Sequence, residues 1–396
     1  MLRSLAVSFG FNAFASVLGS VAVFLVIAAM SPGDWGRAAA ILGAGQFAGA
    51  LLSFGSQTER IKRYSRMPPD LLLAVTRANS ASRLVMVVAV VLVATCLFPF
   101  LPAVASGLIA AAGVFASLGA TNHFIAAKKY AAAGLFQVLE KSLALAFTVV
   151  LISTGFMAPL LLAPVMGLSG VLIAIVSFVS LRPDRAALAD GARPSAVLGI
   201  WKGSFYLGIA SVAPSALLLD VTIVIAFAGA ADAGVFALAT KLTAPLSIAA
   251  SAVVAVMLPV LASSSNRKLR GPKGREWLGV AAILLGLGIV FVTARWWVPL
   301  LFGEEYAGAV WPARLYVLNV SIVLATRALV TTLQAWDDDR FASALVAGQV
   351  AVALVGLAFG AHFGGAVGAS VSVLTTNIVL TCFLIARVRW HAAHVS

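Results

Sequence analysis

Apolar residues fall in twelve long runs, at 7–30, 37–57, 84–98, 103–125, 132–153, 158–181, 199–228, 234–262, 277–301, 308–335, 341–360 and 365–386, with short polar connections between them. Most runs reach the roughly 20 residues that an α-helix needs to cross about 30 Å of hydrocarbon. None alternates polar and apolar positions in the manner of a barrel strand. A helix satisfies its own backbone hydrogen bonds where the solvent offers none, so the pattern predicts an all-α polytopic membrane protein of about 12 transmembrane helices. A hydrophobic content of 62% and a mean hydropathy of +1.05 leave little mass for a soluble domain.

Charge adds sidedness. Of 27 lysines and arginines, twenty sit in alternate connections. They are Arg3, then Arg60, Lys62, Arg63, Arg66, Arg77 and Arg83, then Lys128 and Lys129, then Arg182, Arg185 and Arg193. The rest are Arg267, Lys268, Arg270, Lys273 and Arg275, then Arg340, then Arg387 and Arg389. The intervening connections hold no Lys or Arg and carry Asp34, Asp232, Glu304 and Glu305. Positive-inside bias then places both termini in the cytoplasm. The net charge of +13 would suggest nucleic acid in a soluble protein. Here it is spread over loops facing anionic lipid, which makes membrane lipid the partner and not nucleic acid. All eight tryptophans fall at predicted boundaries, Trp35, Trp296, Trp297 and Trp311 outside, and Trp201, Trp277, Trp336 and Trp390 inside, as in an aromatic belt.

Several chemistries find no support in the residues. The first run lacks a small-residue cleavage site and reads as a retained helix. Cys96 and Cys382 both lie inside runs, and His391 and His394 alone make a poor ligand set, so neither a disulfide framework nor a metal site is expected. There is no GxxxxGK[ST] phosphate loop, and no cofactor is implied. The acidic run Asp337, Asp338 and Asp339 lies in a tight turn without a soluble domain around it, and reads as a solvated turn and not as a transferase metal site. The chain is not expected to be an enzyme.

The chain repeats at half length. Asp34, Trp35 and Gly36 correspond to Asp232, Ala233 and Gly234 at an offset of 198, with matching run order and loop charge. An even number of spans per half gives parallel repeats about an axis along the membrane normal, an arrangement found in transporters. Two six-helix lobes are expected, residues 1–190 and 191–396, joined by a polar strap from Arg182 to Ala196 that contains Pro183 and Pro194.

The outer turn SPGDWGRAAAI, the segment GVFALATKL leading to MLPVL, and LFGEEYAGA before a polar-studded run resemble polysaccharide and O-antigen flippases of the multidrug/oligosaccharidyl-lipid/polysaccharide exporter superfamily. The resemblance covers nearly the whole chain through loose, mostly structural motifs. It implies a V-shaped alternating-access bundle in the bacterial cytoplasmic (inner) membrane. It also implies a polyprenyl-diphosphate-linked oligosaccharide as cargo for cell-surface polysaccharide biosynthesis, with polysaccharide polymerases or glycosyltransferases as partners. An ion-coupled multidrug exporter of the same superfamily, a membrane scaffold of a glycan assembly complex and an integral membrane glycosyltransferase are the alternatives.

Seven cations escape the loops: Arg37, Lys141, Lys202, Lys241, Arg295, Arg314 and Arg327. A charge at the bilayer centre costs about 2.5–3.5 kcal/mol on translocon scales, so each should pair, snorkel or serve a ligand. Arg37, Arg295 and Lys202 sit at run ends and can snorkel. Arg327, with Thr331 and Gln334 at i+4 and i+7, forms one polar face, and a diphosphate favours the bidentate guanidinium. Arg327, Arg314 and Lys241 are therefore the expected head-group residues. Asp220 and Lys241 lie at one depth on consecutive antiparallel runs and predict an ion pair, with a coupling role for the carboxylate as the functional alternative. Glu140 is the other intramembrane acid. It precedes Lys141, and adjacent helical residues diverge by about 100°, so the two are not expected to share a face. Stripes at Ser8, Asn12, Ser16 and Ser20, and at Ser204, Ser211, Ser215 and Thr222, could line a hydrated cleft or let helices pack. Pro214 and Pro245 predict kinks, and Gly45/Gly49 and Gly364/Gly368 predict close helix contacts.

Overall fold

In the computed structural model, the described residues are 2–57, 60, 64, 68–126, 129–181, 189–190, 193, 195, 201, 208, 212–243, 274–335 and 339–394. They are mostly helical and include no strand. The order is α1 (Leu2–Ala28), α2 (Pro32–Ser53), α3 (Pro69–Leu97), α4 (Pro102–Ala120), α5 (Asn122–Ala126), α6 (Tyr130–Ser153) and α7 (Pro159–Ser180). There follow a 3₁₀ turn (Ala216–Leu219), α8 (Asp220–Ala228), α9 (residues 230–243), α10 (Gly274–Phe302), a 3₁₀ turn (Glu304–Ala309), α11 (Val310–Ala335) and α12 (Asp339–His394). Among the described residues eight helices are long and apolar enough to cross a membrane. The last of these, Ala344–Trp390, is broken at Gly364 and Gly365, so one continuous element holds two of the predicted runs.

Helix starts follow from local chemistry. Prolines open α3, α4 and α7 at positions where the missing N–H costs nothing. The Ser31 hydroxyl accepts from the Asp34 N–H and donates to the Asp34 carboxylate, closing the first turn of α2. The span containing Pro214 is broken as expected: residues 212–215 are followed by the 3₁₀ turn before α8 begins. Pro245 and the strap residues 182–188, 191–192, 194 and 196 lie outside the described residues.

Two compact units emerge, Met1–Met30 with Arg37–Thr222, and Ser31–Gly36 with Ile223–Ser396. In the first, α4 meets α2 and α7 backbone to backbone. Side chains at Gly45 and Gly49 would run into α4, and one at Gly113 would strike Gly167, as expected of small residues at membrane helix contacts. In the second unit the 198-residue offset acquires a physical meaning. α2 and α9 begin 198 residues apart, and the equivalent glycines Gly36 and Gly234 lie where their two turns touch, each too close to the other's turn for a side chain. Asp232, the counterpart of Asp34, accepts from the Ala366 N–H at 2.9 Å and caps the second arm of α12. Gly365, at φ +54°, makes that arm's sharp entry possible, and a side chain there would strike the Asp232 carboxylate. The expected contact of Gly364 is corrected: a side chain there would meet nothing among the described residues, and Gly368 packs instead on Gly360.

Two readings of the pattern are overturned. α3 begins at Pro69, fifteen residues before the predicted run, so Arg77 and Arg83 belong to a helix and not to a loop. Trp35 is completely buried and does not face the lipid boundary, and Trp201 is tied to α2 through its bond to the Leu52 carbonyl at 2.7 Å. Trp296, Trp311 and Trp390 are exposed, as belt residues should be.

Candidate functional site

In the first unit, α1, α2, α4, α6 and α7 enclose a cavity of about 140 Å³. Its walls include Gly19, Gln46, Gly113, Gly167, Gly170 and Ser169, together with Glu140 and Lys141. The glycines leave the volume open, and the stem of Lys141 passes where a side chain at Gly19 would touch it. Lys141 Nζ donates to Glu140 Oε1 at 2.7 Å. This corrects the expectation that neighbours on a helix could not meet: the long lysine side chain bends back across the 100° between them. The carboxylate is 15% exposed and the ammonium 41%. The pair gives the cavity a polar wall without net charge. Of the stripe on α1, Asn12 is exposed and Ser16 half-buried.

A second polar centre forms around Arg83 on α3. Arg83 is 5% exposed, donates from Nη1 to the Phe115 carbonyl at 2.9 Å and from Nη2 to Ser56 Oγ at 2.7 Å, and stacks on the Phe115 ring. Gly119 supplies the clearance for its guanidinium. Arg60 is also buried, and Arg77 donates to the Leu181 carbonyl at the end of α7. Run-by-run counting missed Arg83. The signal was available in the hydrophilic residues Arg77, Asn79, Ser80, Ser82 and Arg83, too dense for an apolar run yet preceded by a proline at the true helix start.

The other expected residues belong to both units. Asp220 starts α8 in the first unit, where its Oδ1 accepts from the Val221 N–H, and Lys241 is half-buried on α9 in the second. Thr222 donates to the Ala40 carbonyl, so that member of its stripe holds helices together. Ser215 is half-buried, and Ser204 and Ser211 lie outside the described residues. On α11, Arg327 is exposed within a membrane-crossing helix, while Arg314 donates from Nε to the Phe291 carbonyl at 3.0 Å. Thirteen residues at 100° each place these two arginines about 140° apart around α11 and roughly 20 Å apart along it, so they cannot serve one face. Gln334 is in the same helix, near its end.

The second unit also contains a neutral seam that reading for charge missed. Asn377 donates to Asn319 Oδ1 at 2.9 Å and accepts from Gln349 Nε2 at 3.3 Å, and the Thr326 and Thr381 hydroxyls lie 2.6 Å apart. Asn319 and Thr326 stand seven residues apart on α11, and Asn377 and Thr381 four apart on α12, which is the helical spacing that could have revealed them. Among the described residues no group of three or more His, Cys, Asp or Glu side chains is placed to hold a metal.

No family model and no curated protein matches the sequence. Solved structures do match over nearly its full length. An inward-facing multidrug resistance MATE family transporter of the MOP superfamily aligns with TM-score 0.66 at 14% identity, covering 96% of each chain. The lipid II flippase MurJ, in its inward closed conformation, aligns with TM-score 0.72 at 11% identity, covering 98% of this chain and 88% of that one. A MOP superfamily transporter from Pyrococcus furiosus, described as having a binding pocket of reversed polarity, aligns with TM-score 0.50 at 11% identity over 97% and 98%. The chain is thus an integral membrane protein with the all-helical fold of these transporters.

Proposed function

We propose that the protein is a flippase that moves a polyprenyl-diphosphate-linked oligosaccharide across the bacterial inner membrane for cell-surface polysaccharide synthesis, with both termini cytoplasmic. The observation that carries the reading is the sign of the embedded charge. Arg327 and Lys241 stand on helices of the second unit, whereas Glu140 in the first is already neutralised by Lys141. An anionic head group suits that balance, because an arginine in low dielectric keeps its charge and offers paired donors to phosphate oxygens. Arg327, exposed within a membrane-crossing helix, is the residue assigned to the diphosphate, with Lys241 as a second cation. Asn12, Ser16, Ser211, Ser215 and Gln334 supply neutral polar contacts along the path. Asp220 and Glu140 are the carboxylates available for ion coupling as lobes 1–190 and 191–396 alternate. The likeness to a lipid II flippase supports a lipid-linked cargo.

One observation favours a second reading, an ion-coupled multidrug exporter: a carboxylate, Glu140, lines the cavity of the first unit, and MATE transporters share the fold. Reconstitution separates the two. In vesicles loaded with a fluorescent polyprenyl-diphosphate oligosaccharide, the wild type should translocate it, and Arg327→Gln should lower the rate at least tenfold while Arg327→Lys recovers only part. Unchanged translocation by Arg327→Gln removes that residue from the site. A wild type that exports cationic dyes along an ion gradient but leaves the lipid untouched establishes the exporter.

A further inference from the structure

The ends of α10 and α11 that the charge pattern assigns to the outer surface carry a cluster that the flippase reading does not use. Arg314 lies with its guanidinium carbon 5.4 Å from the centre of the Phe291 ring and 5.1 Å from that of Trp311, and its Nε is fixed on the Phe291 carbonyl. Phe291 and Arg295 share a face of α10 at i and i+4, and Trp311 and Arg314 are neighbours on α11 at i and i+3. One turn nearer the surface, Arg295 is exposed and stacks over Trp296 at 4.1 Å. Among the described residues neither arginine forms an ion pair with a carboxylate. Glu304 and Glu305 stand exposed in the following turn and form no salt bridge with either.

An arginine that merely anchors a helix extends its head into water. Arg314 does the opposite, turning back onto the neighbouring helix, with Nε spent on a carbonyl and its plane set against aromatic rings. Its terminal nitrogens meet no acceptor among the described residues, so a pair of donors is presented in a fixed direction. A guanidinium held in this way matches the two oxygens of a phosphodiester. The depth agrees, since the exposed Trp296 and Trp311 mark the level of the lipid head groups. We propose that Arg314 and Arg295, braced by Phe291, Trp311 and Trp296, form a binding site for the phosphate of an anionic glycerophospholipid of the outer leaflet. The site is independent of the cargo reading: it lies about 20 Å along α11 from Arg327 and on another face.

Native mass spectrometry of the delipidated full-length protein, titrated with phosphatidylglycerol and separately with phosphatidylcholine, tests the site. The wild type should bind phosphatidylglycerol in preference. Arg295→Gln and Arg314→Gln should each weaken that binding about tenfold, and Arg314→Lys, which keeps the charge but loses the Nε anchor, should weaken it several-fold. An Arg389→Gln control at the opposite end should bind as the wild type does. Wild-type affinity in Arg295→Gln and Arg314→Gln overturns the proposal, as does equal weakening in the Arg389→Gln control, which would mean a general charge effect. Displacement of phosphatidylglycerol by a lower concentration of polyprenyl diphosphate would assign the site to cargo and overturn the phospholipid assignment. Arg295 is exposed, so Arg295→Gln carries the test even if Arg314→Gln fails to fold.

Discussion

Replacing Lys141 by Met, Glu140 by Gln, and both together would measure how far the polar wall of the first unit's cavity depends on its internal pair. At the 2.7 Å between Nζ and Oε1, Coulomb's law with an effective dielectric of 20 gives a gross attraction of about 6 kcal/mol. Most of that is offset by the cost of removing the charges from water. Exposed pairs retain about 0.2–1 kcal/mol, whereas stranding one member of a buried pair costs about 3–5 kcal/mol. This pair is intermediate, with a carboxylate 15% exposed and an ammonium 41% exposed. Lys141→Met should therefore destabilise by about 2 kcal/mol, because it strands the more buried charge, and Glu140→Gln by about 1 kcal/mol, because the ammonium left behind is the less buried of the two. The double variant should cost about 1–2 kcal/mol less than the two single variants together. Reversible unfolding in detergent, read by tryptophan fluorescence, supplies the three values. Additivity within about 0.4 kcal/mol would mean that the pair is not coupled, and that Glu140 is not neutralised by Lys141 in the cavity wall.

Asp232→Ala removes the acceptor for the Ala366 N–H and should cost about 1 kcal/mol, with Asp232→Asn less affected and amide exchange accelerated at the start of the second arm of α12. Equal exchange in all three proteins would rule out the cap. Arg83→Gln removes charged donors to the Phe115 carbonyl and Ser56, a loss tempered by relief from burying a charge, and should lower stability by about 2 kcal/mol without altering the accessibility of cysteines placed in the loops. A variant as stable as the wild type, with altered loop accessibility, would return Arg83 to the loop role that counting gave it.

Much of the fold was legible because lipid leaves few options. Apolar length gave the helices, and the 198-residue echo gave turns whose glycines do meet. The errors share one cause: a run defined by hydropathy ends where polar residues begin, whereas a helix ends where its backbone bonds end. α3 continues through Arg83 and Arg77 because their long stems lie against neighbouring helices while the guanidiniums reach carbonyls at Phe115 and Leu181. Trp35 misled in a similar way, since position at a run boundary does not distinguish a ring facing lipid from one buried beneath a turn. The Glu140 and Lys141 contact was hidden because helical geometry fixes Cβ directions and not the reach of a four-carbon stem. Partners from distant segments, such as Asn319 with Asn377, require a tertiary pairing that spacing along one helix does not contain.

Reassigning the arginines changes what each half of the charge argument can support. Without Arg77 and Arg83, the connection at 58–68 still holds Arg60, Lys62, Arg63 and Arg66, so the positive-inside reading of orientation survives the correction. The functional half becomes more selective. Arg83 and Arg77 donate to protein acceptors, and Arg314 is turned toward α10, away from the face of Arg327. A simple excess of embedded cations therefore overstates the case for an anionic cargo. What remains is a narrower claim about Arg327 and Lys241, two cations of the second unit, set against a first-unit cavity whose acid carries its own counter-ion. That contrast would repel neither a zwitterion nor a neutral glycan from the first unit while favouring phosphate at the second. A lipid-linked sugar, charged at one end and neutral along the rest, has that division built into its own structure.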